Sequence, residues 1–175
     1  MKFDNIKCGI TGHTGILGTE LLKIKNNIKF VKFKGDITKK DDIKKWLKEN
    51  PIDIIVHLAA IVPTNIVKKN FYYANKVNYT GTKLLIDEII QYKKIKWLFY
   101  SSTSHVYKFS KKKISENSIV KPNSKYGLTK LKGENYIKKK LKKKIPFCIG
   151  RIFSFTNINQ KQDYVIPSII NKAKS

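Results

Sequence analysis

Hydrophobic positions fall into short apolar runs separated by longer amphipathic stretches. This alternation is typical of a parallel sheet wrapped by helices, because such strands are buried on both faces and such helices on one. We expect strands at residues 6–11, 30–33, 52–58, 96–100 and 146–152. We expect helices at residues 16–25, 41–49, 71–92, 124–144 and 164–174. The pattern therefore predicts one α/β domain over residues 1–175, with a doubly wound parallel sheet.

Length, hydropathy and cysteine content narrow the class of protein. A chain of 175 residues suits one domain with a sizeable core. No apolar run reaches the ~18 residues of a membrane span, and the first residues lack the apolar core of a secretory signal. Cys8 and Cys148 lie in apolar, strand-like segments without metal-ligand spacing. We therefore expect buried free thiols, no metal site, no membrane association and a reducing, cytoplasmic setting.

The net charge of +25 raises the question of nucleic-acid binding. Of the 37 basic residues, Arg151 is the only arginine, although readers of bases and phosphates favour arginine's bidentate fork. The lysines are scattered, and the densest run, residues 138–144, suits the solvated end of a helix. We expect no specific nucleic-acid binding. The charge should still attract anionic small molecules, and non-specific polyanion binding remains an alternative function.

A glycine-rich turn follows the first predicted strand, with glycines at positions 12, 15 and 18. Glycines at this spacing allow a tight turn, close approach of the backbone to a pyrophosphate, and packing of the next helix on the sheet. The helix N-terminus then offers unpaired N–H groups to a phosphate. A glycine turn without a ligand is the alternative interpretation.

Tyr126 and Lys130 lie four residues apart in a predicted helix, so their side chains share one face. A phenol has a reference pKa of about 10, and a neighbouring ammonium group lowers that value by favouring the phenolate. This spacing also arises by chance in a chain rich in both residues, so its meaning depends on the other motifs.

Five motifs occur in order along the chain. They are Thr-Gly-x-x-Gly-x-x-Gly at 11–18, His-Leu-Ala-Ala at 57–60, Val-Asn-Tyr-Thr-Gly-Thr at 77–82, Ser-Ser-Thr-Ser-His-Val-Tyr at 101–107 and Tyr-Gly-Leu-Thr-Lys at 126–130. With them the chain resembles the extended short-chain dehydrogenase/reductases, a superfamily of nucleotide-sugar epimerases, dehydratases and reductases. Residues 35–38 and 126–134 most resemble the dTDP-4-dehydrorhamnose reductase branch. The resemblance implies a Rossmann-type fold.

The resemblance also implies roles for particular residues. Tyr126 would be the general acid/base, Lys130 would bind the nicotinamide ribose and lower the pKa of the tyrosine, and Thr103 would hold the reacting oxygen. The implied cofactor-binding residues, besides Tyr126 and Lys130, are Gly12, Thr14, Gly15, Ile16, Leu17, Gly18, Asp36, Ile37, Leu58, Ala59, Ala60, Asn78, Ser101 and Ser102. For Asp36 the alternative is capping of a helix or turn ahead of residues 39–41, and for Asn78 a surface position. Arg151 is expected to make a structural ion pair, with a role in the substrate pocket as the alternative, and His13 to face solvent.

Two positions separate this chain from the dehydratases it resembles. Those enzymes carry Asp-Glu directly after the catalytic threonine, whereas this chain has Ser104 and His105. The departure favours reduction or epimerisation of a nucleotide-linked sugar over dehydration. His105 has two interpretations, a substrate contact or a structural hydrogen bond. Lys32 and Lys34, near the end of the second strand, slightly favour NADP over NAD, since no acidic residue there would hold the ribose 2′-hydroxyl.

Relatives of this kind continue beyond the equivalent of Ser175, so we expect a domain truncated at its C-terminal substrate-binding part. The chain is then a fragment, a truncated gene product, or a minimal protein completed by a homodimer or a partner chain. A catalytically silent NAD(P)-binding regulatory or structural subunit is the alternative to an enzyme.

Overall fold

The computed structural model of the chain describes residues 6–24, 27–62, 64–157, 160 and 164–174. Five strands form one sheet in the order β2-β1-β3-β4-β5, with every neighbouring pair parallel. The strands are β1 Lys7–Thr11, β2 Lys29–Lys32, β3 Ile54–His57, β4 Trp97–Thr103 and β5 Phe147–Ile152. The predicted parallel α/β sheet is confirmed. Strand β4 runs three residues beyond the predicted end, because its pairing with β5 continues to Thr103.

Helical segments connect the strands. They are α1 Ile16–Lys23, α2 Lys40–Glu49, α3 Thr64–Lys69, α4 Phe71–Asn75, a π-helix Lys76–Gly81, α5 Thr82–Tyr92, a 3₁₀ turn Ser104–Val106, α6 Lys125–Leu141 and α7 Val165–Lys174. The helix predicted at 71–92 is thus interrupted by a π-helical segment. Helix α6 ends at Leu141 rather than at residue 144, and Lys143 has a left-handed φ of 64°. Residue 25, at the predicted end of α1, lies outside the described residues.

Helix α3 was missed by the sequence pattern. Four of its residues have a described side-chain environment, and only Val67 among them is buried, while Lys68 and Lys69 are exposed. A helix this short and polar carries no amphipathic stripe to recognise. Its Val67 packs in a small cluster with Ala74 and Tyr126, so the segment nevertheless contacts α4 and the start of α6.

The main core lies between the sheet and helices α2, α5 and α6. It is made mostly of aliphatic side chains, including Ile43, Ile55, Leu85, Leu98 and Ile137. Cys8 is buried as predicted, and burial raises the pKa of its thiol to about 11. The expectation that Cys148 is buried was wrong: it lies on β5, an edge strand, and is exposed. In the part of the chain that the structure describes, no helix is long and apolar enough to cross a membrane.

Candidate active site

The glycine turn connects β1 to α1 and is shaped by close backbone contacts. Gly12 has a φ of +71°, and a Cβ on it would lie 2.5 Å from the amide nitrogen of Ala59. A Cβ on Gly18 would lie 2.6 Å from the Cα atom of His13. Real Cβ atoms do not approach other atoms so closely, so packing alone requires glycine at both positions. These two contacts hold the turn, helix α1 and the chain after β3 against one another.

Gly15 differs from its two neighbours in the motif. Its φ is −76°, and the nearest atom to a Cβ there is the carbonyl oxygen of Gly12, at 3.4 Å. Neither backbone strain nor packing therefore requires glycine at this position. Gly15 is exposed and is the N-cap of α1 without a side-chain cap, so the first N–H groups of α1 are left for an external acceptor. Open space in front of these N–H groups fits a phosphate.

The other predicted cofactor-binding residues of the turn lie beside Gly15. Thr14 is exposed, and Ile16 and Leu17 at the start of α1 are half-buried. His13 is half-buried as well, and its Nδ1 has no protein hydrogen-bond partner, so the expectation that it simply faces solvent was wrong. The reason is that α1 packs directly on the backbone of His13 at the position of Gly18.

Residues Leu58, Ala59 and Ala60 leave β3 next to Gly12 and are half-buried. Behind them His57 is fully buried and accepts a 2.6 Å hydrogen bond from the Thr11 hydroxyl at Nδ1. Its Nε2 lies 2.9 Å from Thr82 Oγ1, which itself donates to a carbonyl, so Nε2 carries the proton. Burial, with a smaller effect of the charge of Lys130, lowers the pKa of His57 to about 3. This neutral imidazole ties β1, β3 and α5 together under the site.

Asp36 and Ile37 follow β2 and differ in exposure, since Asp36 is exposed and Ile37 is buried. Asp36 Oδ1 accepts hydrogen bonds from the backbone and hydroxyl of Thr38, both at 2.8 Å, and these bonds lower the pKa of Asp36. The capping interpretation thus describes its observed contacts, although the carboxylate remains exposed. Ile37 is buried against Gly81, where a Cβ would lie 2.9 Å from its side chain.

Helix α6 presents Tyr126 and Lys130 one turn apart, as predicted. Ser124 caps its N-terminus by accepting a 3.0 Å hydrogen bond from Gly127 N. His105 Nδ1 lies 3.2 Å from the same Ser124 oxygen, and its ring meets that of Tyr126 edge-on, with the ring centroids 5.9 Å apart. His105 therefore makes the structural hydrogen bond that one of its two interpretations predicted. It also lies next to Tyr126, the proposed general acid/base.

Thr103, at the end of β4, is brought to Tyr126. Burial raises the pKa of Tyr126 to about 12, and a hydrogen bond with the Thr103 side chain acts in the opposite direction. The predicted lowering of the Tyr126 pKa by Lys130 was wrong. The phenol is desolvated in the protein interior, and the Lys130 ammonium lies over the ring of Tyr100. Tyr126 is consequently a protonated phenol at neutral pH.

Lys130 has only 1% of its surface exposed, and its Nζ lies 4.2 Å from the centroid of the Tyr100 ring. Burial lowers the pKa of Lys130 to about 7, while the charge of Glu134 raises it. Within the described residues no carboxylate forms an ion pair with Lys130. Tyr100 lies in an apolar strand, and nothing in its sequence context distinguished it as part of the site.

Asn78 is fully buried in the π-helix rather than on the surface. Its amide exchanges two hydrogen bonds with the backbone of Ile61, at 2.7 and 3.0 Å, and donates a third to Thr129 Oγ1 at 3.1 Å. Thr129 lies on α6 between Tyr126 and Lys130. These three side-chain hydrogen bonds join the loop after β3 to α6.

Ser102 belongs to a buried cluster around Glu134. Glu134 Oε1 accepts hydrogen bonds from Ser102 Oγ at 2.5 Å and Arg151 Nε at 3.0 Å, and Oε2 pairs with Arg151 Nη2 at 2.8 Å. Burial acts to raise the pKa of Glu134, but these bonds and the charge of Arg151 lower it overall. Arg151 thus makes the expected structural ion pair, and the Ser102 hydroxyl is already engaged. Ser101, its neighbour, is half-buried.

A parallel sheet with a glycine turn after β1, and a hydroxyl, a phenol and an amine contributed by β4 and α6, is the arrangement of a Rossmann-type α/β protein. Among such proteins, this chain belongs to the NAD dependent epimerase/dehydratase family, whose sequence pattern matches residues 8–175. It is 27% identical over 158 residues to dTDP-D-glucose 4,6-dehydratase of Dictyostelium discoideum, covering 83% of this chain and 36% of that one. It is 30% identical over 122 residues to an uncharacterized UDP-glucose epimerase, YtcB, of Bacillus subtilis, covering 69% of this chain and 39% of that one.

Solved structures show the same fold. A dTDP-4-dehydrorhamnose reductase from Clostridium acetobutylicum superimposes with a TM-score of 0.77 at 27% identity, over 97% of this chain and 60% of that one. The reductase from Bacillus anthracis, in complex with NADP, has a TM-score of 0.84 at 23% identity over the same shares. MoeE5, in complex with UDP-glucose and NAD, has a TM-score of 0.80 at 22% identity, over 94% of this chain and 60% of that one. The chain thus spans less than two thirds of the length of these relatives.

Proposed function

We propose that this chain binds a nicotinamide cofactor and acts as a reductase or epimerase on a nucleotide-linked sugar. The observation that carries the proposal is that Thr103 and the glycine turn lie at the carboxyl ends of two parallel strands, and that Thr103 contacts Tyr126, one helical turn from the buried Lys130. Family membership supports the cofactor class, and two structural neighbours are complexes with NADP and with UDP-glucose and NAD.

The protonation and position of each residue indicate the role that we propose for it. A bound nicotinamide would supply or accept a hydride at the sugar carbon. Tyr126, protonated at neutral pH, donates its proton to the oxygen on that carbon during reduction and regains one from solvent. Thr103 holds the same oxygen by a hydrogen bond, and Lys130 binds the ribose hydroxyl groups. Ser104 and His105 replace the acid–base pair of dehydratases, so the proposed chemistry excludes elimination of water.

Tyr126→Phe tests the mechanism because it removes one hydroxyl group and keeps the ring. We expect turnover of 4-keto nucleotide sugars to fall roughly 10²–10⁴-fold, the usual contribution of general acid catalysis. Tyr72→Phe is the matched control, since Tyr72 is 82% exposed and the same atom is removed far from Thr103. Equal rates in native chain and Tyr126→Phe would remove Tyr126 from the mechanism.

Cofactor titration separates this proposal from its alternatives. NADPH or NADH binding without turnover of any 4-keto nucleotide sugar would favour a silent cofactor-binding subunit, and no binding at millimolar cofactor would contradict both proposals. Binding of DNA that is lost steeply as the salt concentration rises, without cofactor binding, would instead favour a non-specific polyanion-binding protein, since lysine contacts to phosphate weaken steeply with salt.

We further propose a preference for NADPH. Lys32 and Lys34 are exposed at the end of β2, and Lys32 pairs with Ile10 just before the glycine turn. An ammonium there suits a ribose 2′-phosphate. Lys34→Glu should weaken NADPH binding roughly tenfold and leave NADH binding nearly unchanged. Lys29→Glu makes the same charge change at the opposite end of β2, so an equal loss in both variants would show that net charge alone is responsible.

A further inference from the structure

The aromatic ring of Tyr100 is the only described side chain that receives the charged end of Lys130. The Lys130 Nζ lies over the ring face, 4.2 Å from its centroid. The nearest carboxylate along the helix, Glu134, is engaged by Ser102, by Arg151 and, at 3.6 Å, by Lys138. A cation over a ring face is attracted by the negative potential of the π system, most strongly where water is excluded. Both side chains are almost completely buried.

The ring itself is fixed on several sides. Its hydroxyl group donates a 3.3 Å hydrogen bond to the carbonyl oxygen of Lys130. The same hydroxyl occupies the space that a Cβ at Gly133 would need. The ring of His57 lies next to it, with the centroids 5.7 Å apart. A ring held in this way offers one defined place for an ammonium group.

We propose that Tyr100 is a positioning residue, whose ring face holds the Lys130 ammonium in place for a cofactor ribose before the cofactor binds. The contact between Lys130 and Tyr100 is observed in the structure, and its effect on cofactor binding rests on the proposed function. The ring does the positioning, and the hydroxyl group only orients the ring. A lysine held in advance loses less conformational freedom when the ribose hydroxyl groups bind.

Nuclear magnetic resonance tests the contact without any activity. Protons that lie over a ring face resonate at higher field, so the side-chain methylene protons of Lys130 should lie upfield of those of the exposed lysines. Loss of that signal in Lys130→Met assigns it. If the Lys130 signals fall among those of exposed lysines in the native chain, the proposal is overturned. A failure to bind cofactor would contradict the proposed function and leave this measurement standing.

Two variants at Tyr100 test the role of the ring. Tyr100→Phe keeps the ring and should keep NAD(P)H affinity and turnover within about twofold of native. Tyr100→Leu removes it and should weaken both roughly tenfold or more. Leu98→Ala is the control, because it opens a cavity in the same strand at another buried position and should reduce stability without this loss. Native-like affinity and turnover in folded Tyr100→Leu would overturn the proposal, and if that variant does not fold the resonance measurement decides.

Discussion

The glycine turn after β1 is built from backbone, whereas the site around α6 is built from buried side chains. In the turn, Gly12 and Gly18 allow peptide groups to touch, and no described side chain acts as a cap. Around α6, the polar groups of Tyr126, Lys130 and Glu134 are buried and held by partners from β4 and β5. The glycine turn, here called the backbone half, depends on the missing Cβ atoms of its glycines. The site around α6, here called the side-chain half, depends on pairs of buried polar groups that contact each other. The two halves should therefore fail in different ways.

The largest expected effect comes from breaking the side-chain half at Glu134. Glu134→Ala leaves the guanidinium of Arg151 and the hydroxyl of Ser102 without their partner in the interior. We expect a loss of about 3–5 kcal/mol of unfolding free energy, measured by urea denaturation, because removing one member of a buried ion pair leaves an uncompensated charge. Glu49→Ala removes an exposed carboxylate and should cost less than about 0.5 kcal/mol. Similar losses in the two variants would refute the distinction.

The backbone half should break at Gly12. An alanine there needs a left-handed backbone, which costs roughly 1–2 kcal/mol, and its Cβ would press on the amide of Ala59, for which overpacking adds about 1–3 kcal/mol. We expect Gly12→Ala to lower the denaturation midpoint and abolish cofactor binding together. A variant with native stability would show that the turn adapts more easily than its contacts suggest.

Lys130 gives a pH-dependent test of the side-chain half. Its pKa is about 7 in the folded chain, against an ordinary lysine value of 10.5, so between these two pH values the unfolded chain holds more protons. Stability tied to Lys130 is therefore lost as the pH falls from about 10.5 to about 7 and is constant below that. Relative to Lys130→Met, the native chain should lose roughly 2 kcal/mol between about pH 9 and pH 7. The comparison cancels the titration of the other lysines, and parallel pH profiles would contradict the buried ammonium.

The smallest effect on stability is expected at Gly15, within the same motif as Gly12. Its Cβ would meet only the Gly12 carbonyl oxygen at an ordinary distance of 3.4 Å. Gly15→Ala should therefore keep the native melting temperature within experimental error, yet weaken NAD(P)H binding at least tenfold, since the added methyl group occupies the space in front of the α1 N–H groups. Unchanged cofactor affinity would mean that the open space above Gly15 does not hold the phosphate.

The sequence was most informative where local patterns decide structure. Apolar runs located all five strands, and the spacing of Tyr126 and Lys130 put them on one face of α6, because helix geometry alone fixes that relation. The motif around Thr103 also predicted that its side chain lies close to Tyr126, and the structure has a hydrogen bond between these two side chains. The cofactor-binding role of the glycine turn stays a prediction.

The sequence was least informative where contacts between residues far apart in the chain determine the structure. The end of Lys130 lies over Tyr100, a contact between α6 and β4 that no local spacing encodes. The Ser102 hydroxyl is engaged by Glu134 because β4 and α6 pack together there. The π-helix around Asn78 places an amide between Ile61 and Thr129, and such a segment depends on packing rather than on residue propensity. The misses at Lys130 and Ser102 concern the contacts of a side chain, whereas α3 and the π-helix were missed as elements.

The ion pair of Arg151 has a chemical consequence for the whole surface. Because the only guanidinium in the sequence is bound to Glu134, the outer positive charge of the protein consists of primary amines. An acylating reagent can therefore convert a strongly cationic exterior to a net anionic one, while a reagent specific for guanidinium groups leaves it unchanged. Lys130, enclosed with Tyr100, should be the slowest amine to react, so its acylation would report the opening of the interior.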